Sequence, residues 1–192
     1  MDRRIEDPKA AVRTTVRAAL KAMSASRRTA ASVQAAGLLA AQRRWQDASA
    51  ILFYAPLAEE LDVWPLLEAA LASGKTVALP RFDAGSGRYV ACRIESVVGD
   101  VQAGLFAIRE PVARCAIMPL NRLDFILVPG VAFDLRGRRL GRGKGFYDQL
   151  LAAVRGTTCG VAFDEQLVEA VPVEPHDVVL NCILTPTRWL EV

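Results

Sequence analysis

Three glycines at alternate positions, Gly141, Gly143 and Gly145, are interleaved with Arg142 and Lys144 and preceded by Arg139. The run closes on Phe146, Tyr147 and Asp148. Glycine lets backbone approach a ligand closely and adopt positive φ. Cations between such glycines suit a polyphosphate, and a carboxylate just beyond suits a phosphate-bound Mg²⁺. The segment 127–151 therefore reads as a nucleoside-triphosphate site with something stacked on its aromatics. It fits neither common phosphate loop. A Walker A loop needs glycine at 138, where Arg138 stands, and a hydroxyl where Gly145 stands; the spacing is GxGxG, not the GxGxxG of dinucleotide sites. On spacing alone this is an anion loop with no assigned ligand, and a flexible basic hairpin is the alternative.

Other residues fit more than one role. Lys9 and Arg13 are four apart and share a helix face, either solvated or clamping phosphate from the N-terminal side. Glu59, Glu60 and Asp62 lie between a strand and a helix. They either cap that helix or offer a carboxylate to the N–H groups of a heterocycle. Asp148 and Asp177 are surface caps or Mg²⁺ ligands; Mg²⁺ takes one or two carboxylates plus substrate phosphate. His176 is the single histidine, too little for a structural zinc site and a weak basis for a catalytic one. Phe53, Tyr54, Trp64 and Trp189 are expected in the core.

The elements that must position these groups follow from periodicity. Asp7 and Pro8 make a helix start, with an N-cap and a proline at the first turn. Val12, Val16, Leu20 and Met23 continue at helical spacing. Residues 24–28 break that helix and 29–45 form a second. Strands are expected at 50–54, 76–79 (ended by Pro80), 89–94, 125–128, 159–163 and 178–184, with helices at 62–73 and 146–154. Alternating strands and helices imply an α/β fold: a three-layer αβα sandwich around a mostly parallel sheet, with N-terminal helices. Ligands of such sheets bind beyond the carboxyl ends of the strands, and the glycine-rich run follows the fourth strand.

Composition narrows the class. The 192 residues suit one domain, and with 52% hydrophobic residues it has ample core. A net charge of +3 is too small for a nucleic-acid-binding face. No apolar run reaches membrane-spanning length. Four scattered cysteines without a CxxC are expected to be reduced thiols of a cytoplasmic protein. Asp2, Glu6 and Asp7 argue against reading the arginine-rich start as a transit peptide.

The chain resembles the 5-formyltetrahydrofolate cyclo-ligase family along nearly its whole length. The family pattern after the fourth strand is roughly vPgvaFD-x-x-G-x-RLG-x-G-x-GyYD. Here it reads Val128-Pro129-Gly130-Val131-Ala132-Phe133-Asp134, Gly137, Arg139-Leu140-Gly141, Gly143 and Gly145-Phe146-Tyr147-Asp148. Weaker matches occur in the expected order: Lys9 to Arg13, Glu60-Leu61-Asp62, Gly74 to Pro80, Gly104 to Pro111 and Pro172 to Asp177. Departures are Val63 for a usual Thr, Ala107 for a usual Gly, Phe146 for the commoner first Tyr and Asn181 where an acid is usual.

The resemblance implies ATP- and Mg²⁺-dependent cyclisation of 5-formyltetrahydrofolate to 5,10-methenyltetrahydrofolate, with small molecules as the only partners: no nucleic acid, no membrane, and a monomer. It implies ATP contacts from Lys9, Arg13, Arg139, Leu140, Gly141, Arg142, Gly143, Lys144, Gly145, Phe146 and Tyr147. Substrate contacts would come from Ala55, Glu60, Arg142, Gly143, Lys144, Gly145 and Phe146. Lys144 and Arg142 would act in catalysis, and Asp148 and Asp177 would bind Mg²⁺. The competing readings are another ATP-dependent ligase or kinase acting on a small carboxylate, and a non-catalytic folate- or nucleotide-binding relative. Removing one preorganised charged donor costs about 100-fold or more in rate. Lys144→Ala should therefore lower kcat/KM by about 100-fold or more, and a near-normal rate in steady-state assay would remove Lys144 from the transition state.

Overall fold

The computed structural model describes residues 7–104, 108–143, 145–174 and 177–192. The chain opens with helices α1 (Pro8–Lys21), α2 (Ala25–Ala40) and a short α3 (Arg43–Asp47). Strand β1 (Ala50–Leu52) leads through α4 (Trp64–Ala72) to the hairpin β2 (Thr76–Asp83) and β3 (Arg88–Ile94). An excursion through α5 (Val97–Asp100), β4 (Val101–Ala103), β5 (Arg109–Pro111) and β6 (Ile117–Met118) reaches β7 (Phe125–Pro129). The hairpin β8 (Ala132–Phe133) and β9 (Arg139–Leu140) precedes α6 (Phe146–Leu151). Strands β10 (Thr157–Val161), β11 (Cys182–Leu184) and β12 (Trp189–Glu191) follow.

The main sheet has the order β12-β11-β10-β7-β1-β2-β3-β6. Its centre, β11 to β2, is parallel, and β12, β3 and β6 add antiparallel edges. Period-two alternation sends successive side chains to opposite faces. Ile51, Phe53, Phe125 and Leu127 join one apolar cluster with Leu20, Leu39, Trp45 and Leu67 from the first four helices. Leu52, Ile126 and Val128 join the other with Phe133, Leu150 and Leu151. Those are the three expected layers. Trp45 anchors the thicker side, edge-on to Phe53 at 5.9 Å and to Phe125 at 5.7 Å.

Several boundaries differ from the sequence reading. The first break is short, because the Ser24 side chain accepts from Arg27 N and restarts a helix at once. The second helix stops at Ala40, and α3 carries the remainder. Pro80 does not end β2. The Ala78 carbonyl accepts from Phe53 N, so Pro80, two residues on, aims its nitrogen to the same side, beyond the last β1 residue. No ladder bond is lost there. Residues 178–181 are not strand: Leu180 N donates to Gly137 O at 2.9 Å, and Asn181 N to Thr158 O at 3.0 Å. Asn181 Oδ1 in turn accepts from Thr158 N at 2.8 Å, which makes it a brace for β10.

The β8–β9 turn that launches the glycine-rich run is held by a fully buried carboxylate. Asp134 Oδ1 accepts from Arg136 N at 2.9 Å and Arg138 N at 3.2 Å, and Oδ2 from Val171 N at 2.9 Å. Arg138 Nε lies 2.8 Å from Oδ2, close in distance but without hydrogen-bond alignment. Gly137 completes the turn at φ 74°, where a Cβ would meet the Leu180 carbonyl at 2.5 Å. Removing Asp134 takes the acceptor from three N–H groups, of which that of Val171 is buried, and from a cation, each loss worth up to about 1–3 kcal/mol before relaxation. Asp134→Ala should lower unfolding free energy by about 3 kcal/mol or more in urea titration; a loss below about 1 kcal/mol would show that the turn holds without it.

Candidate active site

A cleft of about 420 Å³ opens at the carboxyl ends of β1 and β7. From β1 the chain crosses to β2 on one side, and from β7 it crosses to β10 on the other. This is the reversal point where open α/β sheets leave a crevice. After β1, Tyr54, Ala55, Leu57 and Glu60 line it; β7 supplies Pro129 and Gly130; the glycine-rich run supplies Arg139, Gly141, Arg142, Gly143 and Gly145. Tyr147, Asp148 and Leu150 from α6 and Pro80, Tyr89, Ile108 and Glu110 complete the lining.

Arg139 is the anchor of the loop. Its side chain is only 5% exposed and ion-pairs with Asp148. Nη1 donates to Pro129 O at 3.3 Å, and the guanidinium sits 5.7 Å from the Tyr147 ring centroid. Gly141 admits it: a Cβ there would stand 3.1 Å from Nη1. Gly143 and Gly145 take φ of 96° and 66°, backbone that side chains rarely tolerate. Gly145 is the left-handed N-cap of α6, which Phe146 opens.

Arg142 crosses the mouth. Its Nη2 donates to Glu60 Oε1 at 3.0 Å, while Glu60 Oε2 accepts from Leu57 N at 3.0 Å. Glu60, 9% exposed at its side chain, thus has both oxygens engaged. Burial, then the Glu60 charge, push the Tyr147 phenol far above its ordinary pKa against the opposing pull of Arg139. Burial and Glu60 do the same to Tyr54. Both phenols stay protonated at neutral pH and keep an O–H donor; Tyr54 donates to Leu61 O at 2.9 Å.

Helix α1 seals the loop from behind. Arg13 Nε donates to Gly141 O at 3.1 Å. One turn earlier, Lys9 Nζ reaches Glu174 at 3.0 Å and Asp177 at 3.3 Å. Burial works against the Lys9 charge, but hydrogen bonds to Glu174 and Asp177 outweigh it and hold the ammonium pKa above its usual value.

The structure therefore brings together Ala55, Glu60, Arg139, Gly141, Arg142, Gly143, Gly145, Tyr147 and Asp148 at one cleft. Lys9, Arg13 and Asp177 are instead paired at its back and do not line it. Leu140 is buried, its carbonyl accepts from Val131 N at 2.7 Å, and it does not line the cleft. Lys144 and His176 lie outside the described residues. Tyr54, expected in the core, is both buried and part of the cleft wall. Trp64 is half-buried with Arg109 stacked 4.2 Å above its ring. Pro80, Tyr89 and Glu110 were not expected at the site; the antiparallel β2–β3 pairing and the β4–β5 hairpin bring them there, and no local pattern signals it.

Among the described residues no three His, Cys, Asp or Glu side chains gather as metal ligands. Of the two expected metal ligands, Asp148 offers its carboxylate at the cleft, with Oδ1 held by Arg139. That fits the Mg²⁺ mode in which phosphate and water supply most oxygens. It does not fit an all-protein cage.

The model of the 5-formyltetrahydrofolate cyclo-ligase family matches residues 5–186. The chain belongs to this family. It is 38% identical to the Escherichia coli K12 5-formyltetrahydrofolate cyclo-ligase over 139 residues, 69% of this chain and 75% of that one. It is 26% identical to the Mus musculus cyclo-ligase over 191 residues, 94% of each. The NMR structure of Aquifex aeolicus 5,10-methenyltetrahydrofolate synthetase superposes with a TM-score of 0.86 at 31% identity, covering 95% of this chain and 92% of that one.

Breaking the Arg139–Asp148 pair leaves a guanidinium in a site nearly closed to water. Asp148→Ala should cost about 2 kcal/mol of stability, less than for a fully buried pair because Asp148 is 28% exposed. Thermal unfolding measures it, and an unchanged midpoint would show that Pro129 O and Tyr147 suffice for Arg139.

Proposed function

We propose that this chain cyclises 5-formyltetrahydrofolate to 5,10-methenyltetrahydrofolate at the β1–β7 cleft, using MgATP. The observation that carries the reading is the Arg142–Glu60 bridge, which sets a carboxylate suited to a pterin directly against a loop suited to phosphates. The cleft walls are otherwise largely apolar, which suits a flat heterocycle.

A formamide carbon is a poor electrophile because its oxygen would have to leave as hydroxide. Transfer of the γ-phosphoryl to the formyl oxygen forms the O–P bond, releases ADP and leaves an N5=C iminium. N10 then attacks that carbon and loses its proton to solvent. The C–O bond breaks, and phosphate departs with the electron pair. No covalent nucleophile on the protein is needed; the task is to hold oxygen and phosphorus in line and to neutralise charge.

The residues divide that work. Glu60 would accept from the N–H groups of the pterin over Ala55. Arg142 and the backbone of 141–145 would meet the transferred phosphoryl, with Lys144 joining them. Arg139, Lys9 and Arg13 would hold the remaining phosphates and ribose. In the structure Arg139 pairs with Asp148, and Lys9 with Asp177 and Glu174. Phosphate oxygens would displace those carboxylates, and Asp148, once released, would hold Mg²⁺, whose charge offsets that of the triphosphate. A cytoplasmic monomer is the expected form.

The test is the absorbance of the methenyl product from purified protein, 5-formyltetrahydrofolate and MgATP. ATP-dependent product formation is expected, and its absence would overturn the reading. Glu60→Ala should raise the folate KM by roughly tenfold or more, the loss of a hydrogen bond to a charged group, with the ATP KM little changed. An unchanged folate KM would count against Glu60.

A further inference from the structure

Glu110 is a further carboxylate of the cleft besides Glu60 and Asp148. Glu110 lies in β5 and lines the same wall as Tyr89 and Ile108. It is half-buried. Glu60 and Asp148 spend oxygens on protein donors. Among the described residues, no hydrogen bond or ion pair reaches the Glu110 carboxylate. The cations near it in the chain and fold are turned elsewhere. Arg109 stacks on Trp64 at 4.2 Å, and Arg81 Nη1 donates to Val112 O at 2.8 Å and Ala113 O at 3.2 Å.

Space is also reserved for this carboxylate. A Cβ on Gly104 would stand 2.3 Å from Glu110 Cδ and 2.6 Å from Oε1. The Glu110 side chain could swing aside, so the cost of a side chain at 104 would fall on the position of the carboxylate more than on the fold. Burial, then the Glu110 charge, push the Tyr89 phenol above its ordinary pKa, which places the two groups in each other's field. A half-buried carboxylate with no donor among the described residues is stabilised when a ligand in the cleft brings one.

We infer that Glu110 is a second folate-positioning carboxylate, accepting from N–H donors of the reduced pterin in the same cleft as Glu60. The two acids would then hold the heterocycle at two points and set the formyl oxygen against the glycine-rich loop. This rests on the proposed cyclo-ligase activity.

Glu110→Ala, Glu110→Gln and Gly104→Ala are compared with the wild-type protein for kcat, both KM values and thermal midpoint. Glu110→Ala should raise the folate KM about tenfold or more, with the ATP KM within about twofold. Glu110→Gln, which keeps one acceptor oxygen and the shape, should show a smaller rise. Gly104→Ala should also raise the folate KM, by displacing an intact carboxylate. Should Glu110→Ala unfold, the other two variants carry the test. An unchanged folate KM in Glu110→Gln and Gly104→Ala, or an equal rise in the ATP KM, would overturn the inference. A wild-type protein that forms no methenyl product would instead overturn the activity on which it rests.

Discussion

A guanidinium in a nearly dry interior must be surrounded by acceptors, and around Arg139 those acceptors are parts of the site. Its partners are the carbonyl that ends β7, the carboxylate in the first turn of α6 and the ring beside it. Gly141 exists without a side chain because Arg139 passes so close. Satisfying one buried charge therefore fixes where the loop leaves the sheet, where it re-enters a helix, and which backbone faces the cleft. Arg13 from α1 and Glu60 from the β1 loop then tie the same run from two further directions. The loop is held at both ends and across its middle, so its backbone donors need little reordering when a ligand arrives.

The same contacts pair three cations of the site with carboxylates. Arg139 is matched by Asp148, Lys9 by Asp177 and Glu174, and Arg142 by Glu60. In the proposed exchange a triphosphate would compete with these carboxylates for the cations, and the metal would take an acid so released. The cost of unpairing would then be offset when nucleotide and metal arrive together.

Much of this was legible in the residues. Asp7 and Pro8 cap α1, the alternation in β1 and β7 places their faces, and the three glycines mark the loop, because each depends on neighbours within a few positions. The pairing partners of cations were not legible. Lys9 meets Asp177 across 168 positions, and Arg139 meets an acid that reads equally well as a metal ligand. Pro80 was misread because a proline's cost depends on which side its missing N–H faces, a property of the sheet and not of the strand. Glu110 and Tyr89 reach the cleft only through antiparallel pairings, and β12 is an edge strand too short to show a pattern. Family resemblance supplied roles that spacing left open; it did not supply the pairing of the ligand-free site.

The most direct measurement is a crystal structure of the protein with 5-formyltetrahydrofolate and a non-hydrolysable ATP analogue with Mg²⁺. The account predicts the pterin between Glu60 and Glu110, the γ-phosphate against the backbone of 141–145, and Arg142 reaching both. Asp148 should have left Arg139 for the metal. Either ligand bound outside the β1–β7 cleft, or a glycine-rich loop facing solvent with neither ligand near it, would contradict the account.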